Sequence, residues 1–496
     1  MTSLMLYNTL SGKKEPFEPS ESGQISLYSC GPTVYDYIHI GNARPFIVFD
    51  ALRNYLEQVK GYRVIYAQNI TDVDDKIINR ALTEGKSTQE IAKRYTDAFF
   101  KDLERLGVRR ADRHPQATAY IEPMIEFIET LIESGYAYEV DGDVYYRVRR
   151  FAGYGKLSGR SIDELESGAR VAVDERKEDP LDFALWKRAK PNEPSWESPW
   201  GPGRPGWHTE CAVMAIDLFR KGPDIHTGGS DLIFPHHENE IAQAEAKTGK
   251  PFAHYWLHNA LLDYQGEKMS KSLGNFEYAR EVVARYGRDP VRFFFLSKHY
   301  RTPINFTETG VAEAERSVRR VYNLLEEIEL DLSRREYTAV DVKPEGEGLS
   351  ETGQRFTAYL NEVRDRFIAA LDDDFNTAGA LGIVFELVRE VHRFRSDEMT
   401  DRDLPLLAQT AAVLRELGEP LGLFQEKRFG GEIGLPDQLI ELLIDVRAVL
   451  RDNQQWELAD RIRDRLGELG VTLKDRADGT DWGFEPSTQT QHSDAG

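Results

Sequence analysis

Gln24-Ile25-Ser26-Leu27-Tyr28-Ser29-Cys30 alternates apolar and polar side chains, and Gly31-Pro32 ends the run. Alternation of period two, stopped by Gly-Pro, predicts a strand. Phe46, Phe49, Leu52, Tyr55 and Leu56 then recur at helical spacing. After Gly61 a second strand is expected over Arg63-Val64-Ile65-Tyr66-Ala67. The order strand, loop, helix, strand predicts an α/β fold with a parallel, doubly wound sheet whose ligands sit at the carboxyl ends of its strands. Asn69-Ile70-Thr71-Asp72-Val73-Asp74-Asp75-Lys76 lies just past one such end.

The pattern changes on either side of this nucleus. Residues 1–119 form the first half of the sheet domain. From Tyr120 to Pro205 the chain carries a hairpin-like stretch, Tyr136 to Val148, around Asp141-Gly142, and then the Pro/Trp/Gly-rich run Pro191 to Pro205. This segment reads as an insertion, residues 120–205. The sheet pattern resumes over 206–264, with a helix from about Thr209 to Phe219 and a strand-like Asp224-Ile225-His226. That strand meets a turn, Thr227-Gly228-Gly229-Ser230-Asp231, and another strand is expected over Tyr255 to Leu262.

Residues 265–311 contain a lysine-bearing loop. From 312 to 423 the amphipathic stretches Ala312 to Leu332, Arg355 to Leu371 and Thr377 to Phe394 predict an α-helical bundle. A glycine-rich break over Phe424 to Leu435 precedes a small C-terminal module, 436–485. The Ser/Thr/Gln tail, 486–496, is expected to be disordered.

Size and composition narrow the classes. The chain has 496 residues, of which 40% are apolar, enough for three or four cores. No apolar run is long enough to cross a bilayer, and the polar start Met1-Thr2-Ser3 is not that of a signal peptide, so a cytoplasmic protein is expected. Two cysteines, Cys30 and Cys211, suggest no disulfide framework; metal binding or burial suits a reducing compartment. The net charge of −21 excludes indiscriminate polyanion binding, since phosphate contacts need lysine or arginine. It leaves room for a local basic track.

Two separated stretches point to phosphate chemistry. Thr33-Val34-Tyr35-Asp36-Tyr37-Ile38-His39-Ile40-Gly41-Asn42 leads from the first strand into the first helix. There an imidazole, a hydroxyl and a glycine can meet a phosphate at the helix's positive end. Far downstream, Lys268-Met269-Ser270-Lys271-Ser272 brings two lysines to a short loop suited to neutralising a polyphosphate. Together they resemble the two ATP signatures of class I aminoacyl-tRNA synthetases. That resemblance implies a Rossmann-like catalytic domain in which His39, Lys268 and Lys271 act catalytically. ATP would also contact Thr33, Gly41, Asn42, Gly228, Gly229 and Asp231, with Mg2+ accompanying the nucleotide. Asn42 replaces the histidine that commonly ends the first signature, so its amide donates a hydrogen bond but carries no charge. Thr227 replaces a common glycine.

A third constellation suggests a metal. Cys30 ends the first predicted strand, Cys211 opens a helix, and the run Phe234-Pro235-His236-His237-Glu238-Asn239-Glu240 adds imidazoles and carboxylates. His236 and Glu240 are four apart and share a helical face; His237 and Glu240 remain an alternative pair. Two thiolates, an imidazole and a carboxylate suit tetrahedral zinc.

Cys30-Gly31-Pro32-Thr33-Val34-Tyr35-Asp36, Gly206-Trp207-His208-Thr209-Glu210-Cys211 and His236-His237-Glu238-Asn239-Glu240 together resemble the cysteinyl-tRNA synthetase family, from about Leu6 to Trp482. The resemblance implies that Cys30, Cys211, His236 and Glu240 bind one Zn2+, which the thiolate of L-cysteine joins. It also implies activation of cysteine with ATP and transfer to the terminal adenosine of tRNA(Cys). Cysteine and serine are nearly isosteric, and packing separates such small side chains poorly. Zinc prefers soft sulfur to a neutral hydroxyl, which would make editing by the insertion unnecessary. Trp207 and Tyr35 are expected to wall the amino-acid pocket. Arg451, Trp456, Asp460 and Asp475 match positions that the family uses near the anticodon, where Trp456 would stack on a base.

A monomer without membrane contacts is expected. Two rival readings are a cysteine ligase of mycothiol synthesis, which delivers cysteine to an aminosugar inositol, and a non-catalytic zinc-dependent RNA-binding relative. The chain continues some 190 residues past Thr307. Ligases of the first kind lack such an extension, and the intact His39, Lys268, Lys271 and four-ligand set disfavours the second.

Overall fold

A computed structural model describes residues 3–162, 164, 175–191, 193–264, 267–268, 276–335, 349–396, 399–427, 435–468, 471–476 and 479–484. The central sheet has four parallel strands: β1 (Gln24–Ser29), β2 (Arg63–Gln68), β3 (Ile225–Gly229) and β4 (Tyr255–Asn259). Their spatial order is β4-β3-β1-β2. Successive strands step outward in opposite directions from the β1/β3 pair. The topological switch point, where open α/β sheets bind ligands, therefore lies at the carboxyl ends of β1 and β3.

Helix α1 (Ile40–Asn54) crosses from β1 to β2, with Phe46, Phe49, Leu52 and their neighbours buried. The loops past β1 and β2 are tied together. Gly31 N–H donates to Asn69 Oδ1 (2.7 Å), Val34 N–H to Thr71 O (3.1 Å) and Thr71 N–H to Pro32 O (3.2 Å). A Cβ on Gly31 would fall 1.7 Å from Asn69 O, so only glycine fits that crossing. The second half contributes α2 (Trp207–Leu218) and α3 (Glu238–Thr248), packed on each other below the switch point.

Three local expectations are corrected. The stretch over Thr227-Gly228-Gly229 is strand, because β4 supplies a continuous ladder, His258 opposite Gly228 and Asn259 opposite Gly229. The helix carrying Cys211 starts at Trp207, with Gly206 as its extended N-cap. The strand expected over Tyr255 to Leu262 is two: β4, then Leu262–Tyr264, which leaves the central sheet to pair in parallel with Ile304–Phe306.

Between the halves, a helix (Ile121–Glu133) packs on an antiparallel sheet of Ala137–Val140, Asp143–Tyr146, Phe183–Arg188 and Gly203–Pro205. Its first hairpin turns at Asp141 and Gly142, both at positive φ (53° and 87°), as a two-residue turn of type I′ requires. After Thr307, whose hydroxyl caps the next helix by accepting from Gly310 N–H (3.0 Å), come the helices Glu308–Arg334, Glu351–Asp372, Thr377–Ser396 and Leu404–Gly418. Phe356 and Phe394 stack at 4.2 Å between two of them. Arg292, fully buried, joins this bundle to α1: it pairs with Asp50 (2.9 Å) and donates to the carbonyls of Leu106, Gly107 and Leu421.

Residues 426–496 form a separate unit. Within it, the helices Leu435–Asp452 and Trp456–Glu468 and the hairpin Val471–Arg476 and Gly479–Phe484 enclose a small core of Ile440, Leu466 and Val471. The tail 486–496, expected to be disordered, lies outside the described residues. Among those residues no helix is long and apolar enough to cross a membrane.

Candidate active site and metal centre

Cys30 follows β1 at the switch point, and its N–H donates to Thr227 O of β3 (3.3 Å). α2 brings Cys211 beneath it, and the kinked segment Ile233–His237 running into α3 brings His236 and Glu240. Cys30 Sγ lies 3.6 Å from Cys211 Sγ and 3.4 Å from Glu240 Oε1, and His236 Nε2 lies 2.9 Å from the same oxygen. All four ligand atoms fall within 4.8 Å of one another. Two Zn–S bonds of about 2.3 Å at a tetrahedral angle span about 3.8 Å, and one Zn–S with one Zn–O spans about 3.5 Å. The sulfur separations fit, and His236 and Glu240, now at hydrogen-bond distance, stand closer than the roughly 3.4 Å that Zn–N and Zn–O bonds would span.

A second set, Cys30, His226, His237 and Glu240, meets the same spatial criterion. It contains one thiol, whereas the first unites both, so the chemistry of the donors favours Cys30, Cys211, His236 and Glu240.

The histidines of the rival set serve the same centre. His226 Nε2 sits 2.9 Å from Glu240 Oε2, holding the carboxylate from its far side. His208 Nδ1 meets His236 Nδ1 at 3.0 Å. Burial pushes the His208 pKa well down, so His208 is the neutral acceptor and His236 the donor, leaving Nε2 for the metal side. His237 Nδ1 meets His258 Nε2 (2.8 Å), and His258 Nδ1 meets Thr9 Oγ1 (2.8 Å). Among the described residues His237 Nε2 has no hydrogen-bond partner, and it stands 3.9 Å from Glu240 Oε1. An orphaned buried nitrogen facing the cluster is what a site shaped for an additional group shows.

Five of the chain's 11 histidines (208, 226, 236, 237 and 258) thus converge here. Sequence reasoning used only His236 and His237. The others sit on α2, β3 and β4, and no local spacing reveals that these elements meet.

The cluster is electrostatically poised. Cys30 donates to Cys211 and holds its pKa down to about 6, with His236 helping. Burial and the neighbouring thiolate push Cys30 well up, so the pair shares one proton. Burial works against charge on His236, but Glu240 and Cys211 outweigh it and raise its pKa to about 10. Glu240, although buried, is held well below the carboxylate range by His226 and His236.

Trp207 stacks on His236, with centroids 4.1 Å apart and planes 22° apart, and stays 38% exposed. It borders a cavity of about 660 Å³ with Asp74, His208, Phe234 and Asn239. Tyr35 lies on the loop past β1, its ring 5.3 Å from Lys76 Nζ. Burial raises its hydroxyl pKa, and Asp36, Asp74 and Tyr278 are close enough to raise it further.

Of the residues expected to contact the nucleotide, those of the first signature follow β1 and those of the glycine stretch end β3. His39 is the N-cap of α1: Asn42 N–H donates to its Nδ1, and Asn42 Oδ1 accepts from His39 N–H, both at 3.3 Å. This reciprocal pair satisfies two orphan donors and fixes the imidazole at the helix's positive end. Asn42 is thereby tied to the cap by its carbonyl oxygen. Gly41 follows within the first turn, and Thr33 bridges to Thr71. Gly228 is packed against His237, where a Cβ would come within 2.7 Å of the ring; Gly229 ends β3, and Asp231 is exposed just beyond. Lys268 lies in a short strand opposite Asp263, and Lys271 lies outside the described residues. Past the lysine segment the chain returns to the first signature: Ile40 N–H donates to Glu277 O (2.8 Å) and Ala279 N–H to Ile38 O (3.0 Å).

In the terminal unit, Trp456 is 55% exposed and Asp460 shares its helix face four residues on. Arg451 closes the preceding helix, and Asp475 stands opposite Thr480 in the hairpin.

Comparison with known proteins agrees with this architecture. The family model described as "tRNA synthetases class I (C) catalytic domain" matches residues 16–316, and that of the DALR domain matches 366–425. The fold is that of a class I synthetase, similar to Mycobacterium tuberculosis methionyl-tRNA synthetase in complex with methionyl-adenylate (TM-score 0.62, 16% identity, 80% of this chain and 91% of that one). Within the class, the chain is 48% identical over 490 residues to a cysteine–tRNA ligase of Pelotomaculum thermopropionicum (96% of this chain, 99% of that one). It is 49% identical over 482 residues to one of Carboxydothermus hydrogenoformans (97% and 99%). It belongs to the cysteine–tRNA ligase family.

Proposed function

We propose that the chain activates L-cysteine with ATP and transfers it to tRNA(Cys). The observation that carries this reading is the convergence of Cys30, Cys211, His236 and Glu240 at the switch point, on the same sheet edge as His39. A zinc ion held by those four residues would draw a substrate thiol as thiolate and offer a serine hydroxyl far less.

The chain's own residues then account for the rest. Trp207 and Tyr35 wall the amino-acid site, and the buried histidines hold the ligands in place. The substrate carboxylate oxygen attacks the α-phosphorus of Mg2+-bound ATP; the bond from that phosphorus to the bridging oxygen breaks, and pyrophosphate departs. His39, fixed by its cap, and the amino terminus of α1 stabilise charge on the phosphates, joined by Thr33, Gly41 and Asn42. Gly228 and Gly229 give the nucleoside a close backbone approach, and Asp231 accepts from its ribose. Lys268 and Lys271 neutralise the departing pyrophosphate. In the second step a hydroxyl of the tRNA's terminal ribose attacks the cysteinyl carbonyl and AMP leaves. Trp456, Arg451, Asp460 and Asp475 read the anticodon end. We assign a cytoplasmic monomer to this activity.

Cysteine-dependent exchange of pyrophosphate into ATP tests the first step, with serine as control and zinc measured on the same sample. Transfer to purified tRNA(Cys), against an aminosugar inositol acceptor, tests the second. Exchange without transfer to tRNA would redirect the reading to the aminosugar ligase; absence of exchange would end it.

A further inference from the structure

Arg44 stands one turn into α1 and is wholly buried. Its recorded hydrogen bonds all go to backbone carbonyls. Nη1 donates to Ala260 O (2.6 Å) and Leu261 O (3.1 Å), and Nη2 to Thr302 O (2.6 Å) and His299 O (3.3 Å). Among the described residues no carboxylate pairs with it. Burial lowers its pKa to about 10, so it stays cationic at neutral pH. A buried cation without a counter-ion is costly, and its reason lies in what it holds.

Ala260 and Leu261 immediately precede the strand Leu262–Tyr264, and Thr302 lies just before Ile304–Phe306. Those strands pair in parallel, Leu262 opposite Ile304, and Asp263 pairs with Lys268. Arg44 thus grips the starting ends of the strand that carries the lysine strand and of the strand on its other side. On the other flank, Ile38, His39 and Ile40 bind Glu277, Tyr278 and Ala279 through their backbones. Residues 38–44 therefore hold the chain both before and after the lysine signature.

We propose that Arg44 is a positioning residue for adenylate formation, setting the placement of Lys268 relative to His39 by clamping those four carbonyls. The role rests on the reading of Lys268 as a pyrophosphate-binding residue. Lysine is a poor substitute, because a compact ammonium does not reproduce a planar fork that spans two chain segments.

The test uses Arg44→Lys and Arg44→Met in the full-length protein, with pyrophosphate exchange, zinc content and unfolding temperature measured together. Misplacing a charge-stabilising group costs about tenfold or more in rate. The expected result for Arg44→Lys is a kcat for exchange lower by about tenfold, with zinc content and KM for cysteine unchanged. Placed on Lys268→Ala, the same substitution should lower kcat by less than about twofold, because both changes remove one function. Full additivity, an unchanged kcat, or parallel losses of zinc and cysteine affinity would overturn the proposal. If Arg44→Met does not fold, Arg44→Lys alone decides. Wild-type protein lacking exchange would instead indict the proposed function.

Discussion

Cys30 and Cys211 are 181 residues apart in the chain, yet their sulfurs lie 3.6 Å apart, one at the end of β1 and the other on α2. Glu240 and His236 close the same small volume from α3 and the kink before it. Each half of the sheet supplies part of the site, so it exists only when the two halves are assembled.

Cys211→Ser removes the thiolate and leaves a hydroxyl that binds zinc poorly. The protein should lose most of its zinc, and KM for cysteine should rise by at least about tenfold, more than KM for ATP. Metal analysis with exchange kinetics checks this; full zinc and unchanged cysteine affinity would refute the assignment.

Metal uptake must displace protons. At pH 7 Cys211 (about 6) is thiolate and Glu240, held low, is carboxylate, whereas Cys30, pushed up, and His236 (about 10) keep their protons. Zinc needs thiolates and a neutral imidazole, so binding at pH 7 should release about two protons and tighten as pH rises. The sign for folding is opposite. His236, raised above its unfolded value, stabilises the apoprotein fully below about pH 6.5, and that contribution is lost as pH rises through about 10. Calorimetry of zinc binding in buffers of different ionisation enthalpy measures the proton count.

Lys271→Ala removes a cation that the proposed reaction aims at departing pyrophosphate. Adenylate formation should slow by about a hundredfold or more, with cysteine and tRNA affinities little changed. Single-turnover exchange measurements separate this from an effect on tRNA binding alone.

Arg292→Met would strand Asp50, on the buried face of α1, without its ion-pair partner. Removing one member of such a pair costs about 3–5 kcal/mol. Urea unfolding of the variant should begin at markedly lower denaturant, with zinc content in the native baseline unchanged.

Much of the fold was legible locally. Alternation in Gln24–Ser29, Gly-Pro after it and helical spacing from Phe46 suffice for β1-α1-β2, because each signal spans fewer than a dozen residues. Asp141-Gly142 announced its hairpin for the same reason. Gly228 misled: glycines after a short strand read as a turn, but a tertiary partner, β4, continues the ladder through them. The histidine cluster was silent, since His208, His226 and His258 each lie on a different element and only sheet order brings them together. Arg44 looked like an ordinary helix residue, and its four carbonyl partners lie 216 or more positions away.

The most direct measurement is zinc K-edge absorption of the purified protein, alone and with cysteine or serine. The account predicts two sulfur neighbours at about 2.3 Å in the free protein, three when cysteine is added, and no change with serine. A sulfur count below two at rest, or one indifferent to cysteine, would contradict it.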